Sequence, residues 1–146
     1  MLYVVTGPPA AGKSSWIDAH AKPTDVVIDL DRITRALTGP GAPNWNQHPL
    51  HLRVAHRARY AAMDEAFQLL DQLDVYLIHT MPSAKHLAKY KRLGARIVVV
   101  DPGESVVKRR IEAMRDTSMR RVASRWYRSQ QSRRPRDVTV NGGLEW

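Results

Sequence analysis

The sequence predicts a single α/β domain in which helices cover both faces of a parallel sheet of four to five strands. Three observations point to this three-layer class. Short β-branched segments alternate with helical ones, a glycine-rich loop directly follows the first strand, and 146 residues are enough for one core but not for two. We therefore expect one domain over residues 1–146, with ligands bound at the carboxyl ends of the strands.

The first strand, about Leu2–Thr6, leads into the glycine-rich loop. Residues 7–14 read Gly-Pro-Pro-Ala-Ala-Gly-Lys-Ser and fit G-x-x-x-x-G-K-[ST] at every constrained position. A helix ending near Ala21 follows, and strand, loop and helix together are the context in which this pattern binds phosphates. The sequence therefore predicts a P-loop NTPase domain that binds a nucleoside triphosphate, which we take to be ATP.

The residues of this loop have different predicted roles. Backbone N–H groups and the helix N-terminus are expected to surround the phosphates. Lys13 is expected to act as a catalytic cation on the β- and γ-phosphates, and the Ser14 hydroxyl to ligate Mg²⁺. The predicted nucleotide contacts of the loop are Gly7, Pro8, Pro9, Ala10, Ala11, Gly12, Lys13, Ser14 and Ser15.

The second strand, Val26–Asp29, is followed by a second carboxylate. Asp31 stands two residues after Asp29, so both side chains lie on one side if the strand continues, and Asp31 is also a good N-cap for a helix over Arg32–Leu37. A carboxylate at this strand end can accept the proton of an attacking hydroxyl or hold Mg²⁺ through water. The alternative is that Asp31 only caps the helix and Asp29 is a solvated strand end.

A loop rich in glycine and proline, about 38–49, precedes a long helix. Trp45 in this loop suits stacking on a base of the acceptor, although a Trp packed onto the domain is the ordinary alternative. The helix is expected from about Leu50 to Leu73. Its predicted buried face carries Val54, Ala58, Ala61, Ala62, Leu69 and Leu73.

Three more strands complete the predicted sheet. Val75–His79 is the third and Arg96–Val100 the fourth, whose continuous β-branched residues are typical of a central parallel strand. Between them Ser83 can cap a helix, and Gly94 is placed to end it. Asp137–Val140 can form a last, short strand.

The segment 104–136 carries most of the positive charge. Its eleven Lys or Arg against three acids give a net charge of +8. Two helices, about Ser105–Met114 and Arg120–Gln130, flank a polar break, as in a kinase lid that closes over the transferred phosphoryl group. A purely electrostatic surface is the alternative. The lid residues singled out are the catalytic candidates Arg110 and Arg115 and the nucleotide contact Arg120.

Composition limits the class of partner. A formal net charge of +9 is large for this size and indicates a polyanionic partner, which charge alone does not identify. Cysteine is absent, which excludes disulfides and thiolate metal sites. No stretch approaches the length of a membrane span, and the N-terminal apolar run is too short for a signal peptide. We therefore expect no membrane partner and a location in a bacterial or phage-infected host cytoplasm.

Two stretches resemble a known family. Gly-Pro-Pro-Ala-Ala-Gly-Lys-Ser-Ser-Trp at 7–16 and Val-Ile-Asp-Leu-Asp-Arg at 27–32 are similar to the kinase domain of phage polynucleotide kinases. They resemble still more the small phage P-loop kinases, including hydroxymethyluracil-DNA kinase-like proteins. The resemblance implies a kinase-type fold that uses ATP and Mg²⁺, with Asp31 as general base and Arg32 or Arg35 in contact with the acceptor.

One position departs from the family pattern. His79 stands at the end of the third strand, where such kinases carry an acidic or small polar residue. A neutral His is a poor Mg²⁺ ligand beside oxygen donors, so the metal would depend on Ser14, the phosphates, water and Asp29 or Asp31. His79 is expected either to touch the acceptor or to be a plain sheet-end residue.

These features together predict an ATP-dependent kinase. The γ-phosphate would move to a hydroxyl of a nucleic acid, either a 5′-hydroxyl end or a hydroxymethylated base. The alternatives are a small-molecule kinase acting on a nucleoside or nucleotide, and a protein that binds or hydrolyses ATP without an acceptor. A carboxylate opposite the γ-phosphate and an arginine lid favour a kinase, and a GTPase would need an N-K-x-D motif that the sequence lacks.

Overall fold

The computed structural model describes residues 1–43, 47–114, 117–131 and 138–140, and its strands and helices alternate as predicted. The strands are β1 (Leu2–Thr6), β2 (Val26–Ile28), β3 (Val75–Ile78), β4 (Arg96–Val100) and β5 (Val138–Val140). The helices are α1 (Lys13–His20), α2 (Leu30–Leu37), α3 (Pro49–Ala66), α4 (Ala84–Arg92), α5 (Glu104–Met114) and α6 (Thr117–Gln130).

The strands form one parallel sheet in the order β2-β3-β1-β4-β5. β1 pairs with β3 on one side and with β4 on the other, for example through Val5↔Ile78 and Val5↔Val98. Parallel strands end at the same edge of the sheet, so the segments after β1, β2 and β3 meet there. The predicted α/β class is confirmed.

Side chains that alternate along the strands pack against helices on both faces of the sheet, which gives three layers. Leu2 and Val4 of β1 belong to a buried cluster with Met63 of α3 and Tyr90 of α4. Val5 faces the other way, into a cluster that contains Ile17 of α1. Successive side chains of a strand point to opposite faces, so a strand covered by helices on both faces reads as a continuous apolar run.

The prediction for the long helix was wrong in length and partly wrong in face. α3 ends at Ala66, and the described backbone then makes turns until β3. Its buried residues are Ala55, Arg59, Met63 and Ala66, and Val54 is 58% exposed. Of the predicted stripe, Ala62 and Leu73 do pack against the buried cluster. Arginine is rarely buried, so an apolar stripe does not reveal Arg59.

The end of the second strand also differs from the prediction. β2 stops at Ile28, and Asp29, not Asp31, is the N-cap of α2. The two carboxylates therefore do not alternate along a strand. Asp31 lies in the first helical turn, where a negative charge is favourable at the positive end of the helix dipole.

The remaining helices lie close to where the sequence predicted them. Ser83 Oγ accepts a hydrogen bond from the His86 N–H as the N-cap of α4, and Gly94 follows the helix at φ 72°. α5 and α6 pack through Val107, Ile111 and Ala123. Within the described residues, no helix combines the length and the apolarity that crossing a membrane requires.

Candidate active site

The P-loop lies against the neighbouring strand so closely that its first glycine cannot carry a side chain. Gly7 has φ 148°, and a Cβ built there would lie 2.2 Å from the Val100 carbonyl oxygen of β4. That separation is far inside van der Waals contact, and the atom it meets is backbone. Glycine at position 7 therefore sets how the loop leaves β1.

The loop reaches α1 through two residues with positive φ. Ala10 has φ 60° and Gly12 has φ 95°. Gly12 is the N-cap of α1 and has no side chain that could occupy the N–H groups of the first helical turn. Those N–H groups and the positive end of the helix dipole make this terminus suited to an anion.

Lys13 is folded back onto the loop that it follows. Its Nζ donates hydrogen bonds to the carbonyl oxygens of Gly7 at 3.0 Å and Pro8 at 2.7 Å. Burial lowers the pKa of Lys13 to about 8, and the nearby carboxylates of Asp31 and Asp29 partly offset that effect. A phosphate beside Nζ would favour the charged form and raise this pKa again.

Asp29 joins the P-loop helix to the helix after β2. This buried residue accepts a hydrogen bond from Ser14 Oγ at 3.2 Å through Oδ2 and from the Asp31 N–H at 3.0 Å through Oδ1. The three residues predicted for metal binding and base catalysis are thus brought together. The sequence did not predict that Asp29 would be the residue in contact with both Ser14 and Asp31, because this depends on where β2 ends.

This pair of oxygen donors fits Mg²⁺. A Ser hydroxyl and an Asp carboxylate are hard ligands, and Mg²⁺ is usually held by one or two carboxylates together with substrate phosphates and water. Among the described residues there is no group of three or more His, Cys, Asp or Glu side chains that could hold a metal by itself. Ser14 and Asp29 would therefore hold Mg²⁺ together with bound nucleotide, and the ion would neutralise charge on the phosphates.

Asp31 is positioned by its backbone and exposed at its side chain. Desolvation and the charge of Asp29 raise its pKa above 3.8, against smaller opposing effects of Arg35 and Lys13. The carboxylate lines the same cleft as Lys13 and Ser14. A carboxylate whose pKa is raised binds a proton more readily, which suits a general base.

The cleft has a volume of about 530 Å³. The P-loop residues Pro9 to Ser15 and the start of α2 line it. α3 and the end of β3 with the residues after it also contribute, through His56, Arg59, Tyr60, Ile78, His79, Thr80 and Met81. Met119 of α6 also contributes, so the helical pair borders the cleft.

The lid arginines are only partly described. Arg110 Nη1 donates a hydrogen bond to the Ala10 carbonyl oxygen at 3.0 Å, which places its guanidinium against the P-loop. Arg120 is exposed and lies 3.8 Å from Glu112, so it links α6 to α5. Tyr127 of α6 donates a hydrogen bond to Asp101 after β4 at 2.7 Å. Arg115 lies outside the described residues.

The predicted acceptor contacts fall in different places. Arg32 and Arg35 line a smaller groove of about 280 Å³, which Ser14 and Asp29 also line. Neither arginine lines the main cleft. Trp45 lies outside the described residues.

Sequence reasoning missed Arg59 as a site residue. Arg59 Nη2 donates a hydrogen bond to the Ile78 carbonyl oxygen at 3.2 Å. The signal was present, since an arginine at the spacing of Ala55, Met63 and Ala66 interrupts an otherwise apolar helical stripe. Tyr90 was missed too; its hydroxyl lies 2.8 Å from His79 Nδ1.

The fold and the loop define the class of protein. A phosphate-binding loop between β1 and α1 of a parallel sheet, with Ser14 and Asp29 in contact, makes this a P-loop NTPase-like nucleotide-binding domain. Comparison with protein-family models matches residues 2–136 to the AAA domain family, and the chain belongs to that family. A comparison with curated proteins found none that matches the chain.

Proposed function

We propose that this protein is an ATP-dependent phosphotransferase that moves the γ-phosphate to a hydroxyl of a nucleic acid, either a 5′-hydroxyl end or a hydroxymethylated base. One observation carries the proposal. Asp31 lines the same cleft as Lys13 and Ser14, which supports a role as the base for an acceptor hydroxyl that approaches the γ-phosphate.

The residues of this cleft would divide the reaction as follows. The acceptor oxygen forms a bond to the γ-phosphorus, the bond to the β,γ-bridging oxygen breaks, and ADP leaves. Asp31 takes the hydroxyl proton. Lys13 and Arg110 stabilise negative charge on the phosphate oxygens, because a cation already held beside the loop needs little reorganisation during transfer.

Exposed arginines support a nucleic-acid acceptor. Arg121, Arg125 and Arg128 of α6 are exposed, and no carboxylate among the described residues forms an ion pair with them. Arginines of this kind contact backbone phosphates and position a strand without reading its sequence. The chain's net charge of +9 acts in the same direction at longer range.

A small-molecule kinase is the second candidate. The cleft volume of about 530 Å³ lies within the range of ordinary ligand pockets. A free nucleoside or nucleotide could therefore serve as acceptor without any use of the α6 surface. The two candidates differ in how they depend on salt.

The test is phosphoryl transfer from γ-labelled ATP to a panel of 5′-hydroxyl oligonucleotides, hydroxymethylated DNA and nucleosides, at several salt concentrations. A nucleic-acid acceptor should show a KM that rises steeply with salt. The logarithm of the affinity falls linearly with the logarithm of the salt concentration. The slope is about −0.9 per contacted phosphate on duplex and about −0.7 on single strands. A salt-independent KM would favour the small-molecule kinase, and ATP hydrolysis without transfer to any acceptor would contradict a kinase.

Charge reversal on α6 sharpens this test. Arg125→Glu and Arg128→Glu should flatten the salt dependence of the acceptor KM without lowering kcat, because both residues are exposed and outside the cleft. The matched control is Arg92→Glu, an exposed arginine at the end of α4. It should leave the salt dependence unchanged.

A further inference from the structure

Arg59 is a buried charge that the proposed reaction does not yet use. It lies in the middle of the buried stripe of α3, between Ala55 and Met63, and is 6% exposed. A stripe of this kind normally carries apolar residues. Burying a guanidinium costs free energy unless hydrogen bonds and a negative group compensate for the lost water.

The described residues give Arg59 a hydrogen bond and a ring contact but no counter-ion. Its Nη2 donates to the Ile78 carbonyl oxygen, and its Cζ lies 6.0 Å from the Tyr60 ring centroid. The ion pairs of the described part of the chain are Met1–Asp74, Glu104–Lys108 and Glu112–Arg120, and none involves Arg59. A guanidinium has five N–H donors in a planar fork that matches phosphate. Donors beyond the one that Ile78 accepts can therefore serve a ligand.

The position of Arg59 links it to the transfer site. Ile78, its hydrogen-bond partner, pairs with Val5 of β1, the strand that continues into the P-loop. Arg59 also lines the cleft that Lys13 and Asp31 line. An anion bound at Arg59 would therefore belong to a molecule that shares the cleft with the triphosphate.

The neighbouring titratable groups do not compete for that role. His79 Nδ1 is paired with the Tyr90 hydroxyl, and burial, followed by the charges of Arg59 and His86, lowers the pKa of His79 to about 4. Burial raises the pKa of Tyr90. Both groups are neutral at pH 7, whereas Arg59 is a permanent cation that lines the cleft with His56 and Tyr60.

We infer that Arg59 binds a phosphate group of the acceptor, so that the substrate is a hydroxyl compound that already carries a phosphate, and not a neutral nucleoside. The inference rests on the proposed phosphotransferase activity and deepens it. The phosphate can be the monoester of a nucleotide or the first phosphodiester of a nucleic-acid end. Arg59 takes no part in proton transfer; it positions the acceptor so that its hydroxyl faces Asp31.

The experiment compares three acceptors at saturating ATP: thymidine, thymidine 3′-monophosphate and a short 5′-hydroxyl oligothymidylate. Wild type should use the two phosphate-bearing acceptors about 10- to 100-fold better in kcat/KM, which is the range for a hydrogen-bonded charge pair. Arg59→Gln should remove that preference by raising the KM of the two phosphate-bearing acceptors toward that of thymidine, with little change in the KM of ATP. Arg59→Lys should restore part of it.

Arg57→Gln is the matched control. Arg57 is an exposed arginine of the same helix that does not line the cleft, so this variant should behave as wild type with all three acceptors. Equal use of thymidine and its 3′-monophosphate by wild type would overturn the inference. So would an equal loss with all three acceptors in Arg59→Gln, because that pattern indicates a structural role.

Two further measurements separate this inference from its premises. Circular dichroism shows whether Arg59→Gln folds. If it does not, the inference is judged on the preference of wild type for the phosphate-bearing acceptors and on how much of that preference Arg59→Lys keeps. If wild type phosphorylates none of these acceptors, the proposed function fails for them, and calorimetric binding with a non-hydrolysable ATP analogue decides the inference. Tighter binding of thymidine 3′-monophosphate than of thymidine supports a phosphate site, and equal binding overturns it. Where transfer does occur, use of the oligothymidylate indicates a phosphodiester of a nucleic-acid end, and use of the monophosphate alone indicates a nucleotide.

Discussion

The Asp31 N–H donates a hydrogen bond to Asp29 Oδ1 at 3.0 Å, so one carboxylate fixes the helical turn that carries the other. Through its second oxygen, Asp29 also accepts from Ser14 of the P-loop helix. Asp29 is therefore the link between the phosphate loop and the candidate base. This arrangement lets the roles of the two carboxylates be separated by substitution.

Asp31→Asn should lower kcat by about 10²-fold or more while ATP affinity changes little, because an amide keeps the shape of the side chain but cannot accept the proton. Steady-state kinetics and titration with an ATP analogue measure the two effects. Asp64→Asn, on the exposed face of α3, is the control. Near-normal turnover of Asp31→Asn at saturating substrate would remove Asp31 from the reaction.

Asp29 should be sensitive to the kind of substitution. Asp29→Asn can still cap α2 but offers no carboxylate, so we expect similar thermal stability and a higher Mg²⁺ concentration for half-maximal activity. Asp29→Ala loses the cap as well and should be less stable by about 1 kcal/mol. Denaturant unfolding and Mg²⁺ titration check this prediction. An unchanged Mg²⁺ dependence in Asp29→Asn would contradict the metal role.

Lys13 should give ATP use an alkaline limit. Because burial lowers its pKa to about 8 in the nucleotide-free protein, the ammonium is charged below that pH and neutral above it. The kcat/KM for ATP should therefore fall as pH rises through about 8, whereas kcat should fall only at higher pH, since bound phosphate raises the pKa. Lys13→Ala should abolish transfer at every pH. Undiminished ATP affinity and turnover in that variant would refute the P-loop assignment.

Arg110→Ala should lower kcat by at least ~10-fold, since a cation held against the loop acts on charge that develops during transfer. The KM for ATP should change less. Lys108→Ala, which removes only an exposed ion pair with Glu104, is the comparison. If both variants reduce kcat equally, the effect belongs to the helix and not to the Arg110 guanidinium.

Gly7→Ala tests the close approach of the P-loop to β4. A Cβ 2.2 Å from the Val100 carbonyl oxygen forces the backbone apart, so we expect at least ~2 kcal/mol of destabilisation and loss of ATP binding. Gly103→Ala is a matched control, because φ is 109° there and no heavy atom lies within 4 Å. That variant should show only the backbone cost, roughly 1–2 kcal/mol. Equal unfolding free energies for Gly7→Ala and Gly103→Ala would show that the backbone accommodates the contact with Val100 at little cost in stability.

The local patterns of the sequence were sufficient for most of the fold. The apolar runs at Leu2–Thr6 and Arg96–Val100 predicted strands, and the loop between Gly7 and Ser14 predicted the phosphate site. These signals depend on neighbours in the chain: side chains alternate along a strand, and a motif occupies consecutive residues. Even the cap at Ser83 is a local contact, and it was predicted correctly.

The tertiary structure alone decided which side chains meet. Where β2 stops determines that Asp29 is the cap and Asp31 the exposed carboxylate, and no local preference distinguishes two aspartates two residues apart. The burial of Arg59 contradicts the usual preference of arginine for water. It follows from the packing of α3 against the sheet beside Ile78, which lies 19 residues further along the chain. Contacts between distant segments depend on the packing of the whole domain, which residue spacing does not encode.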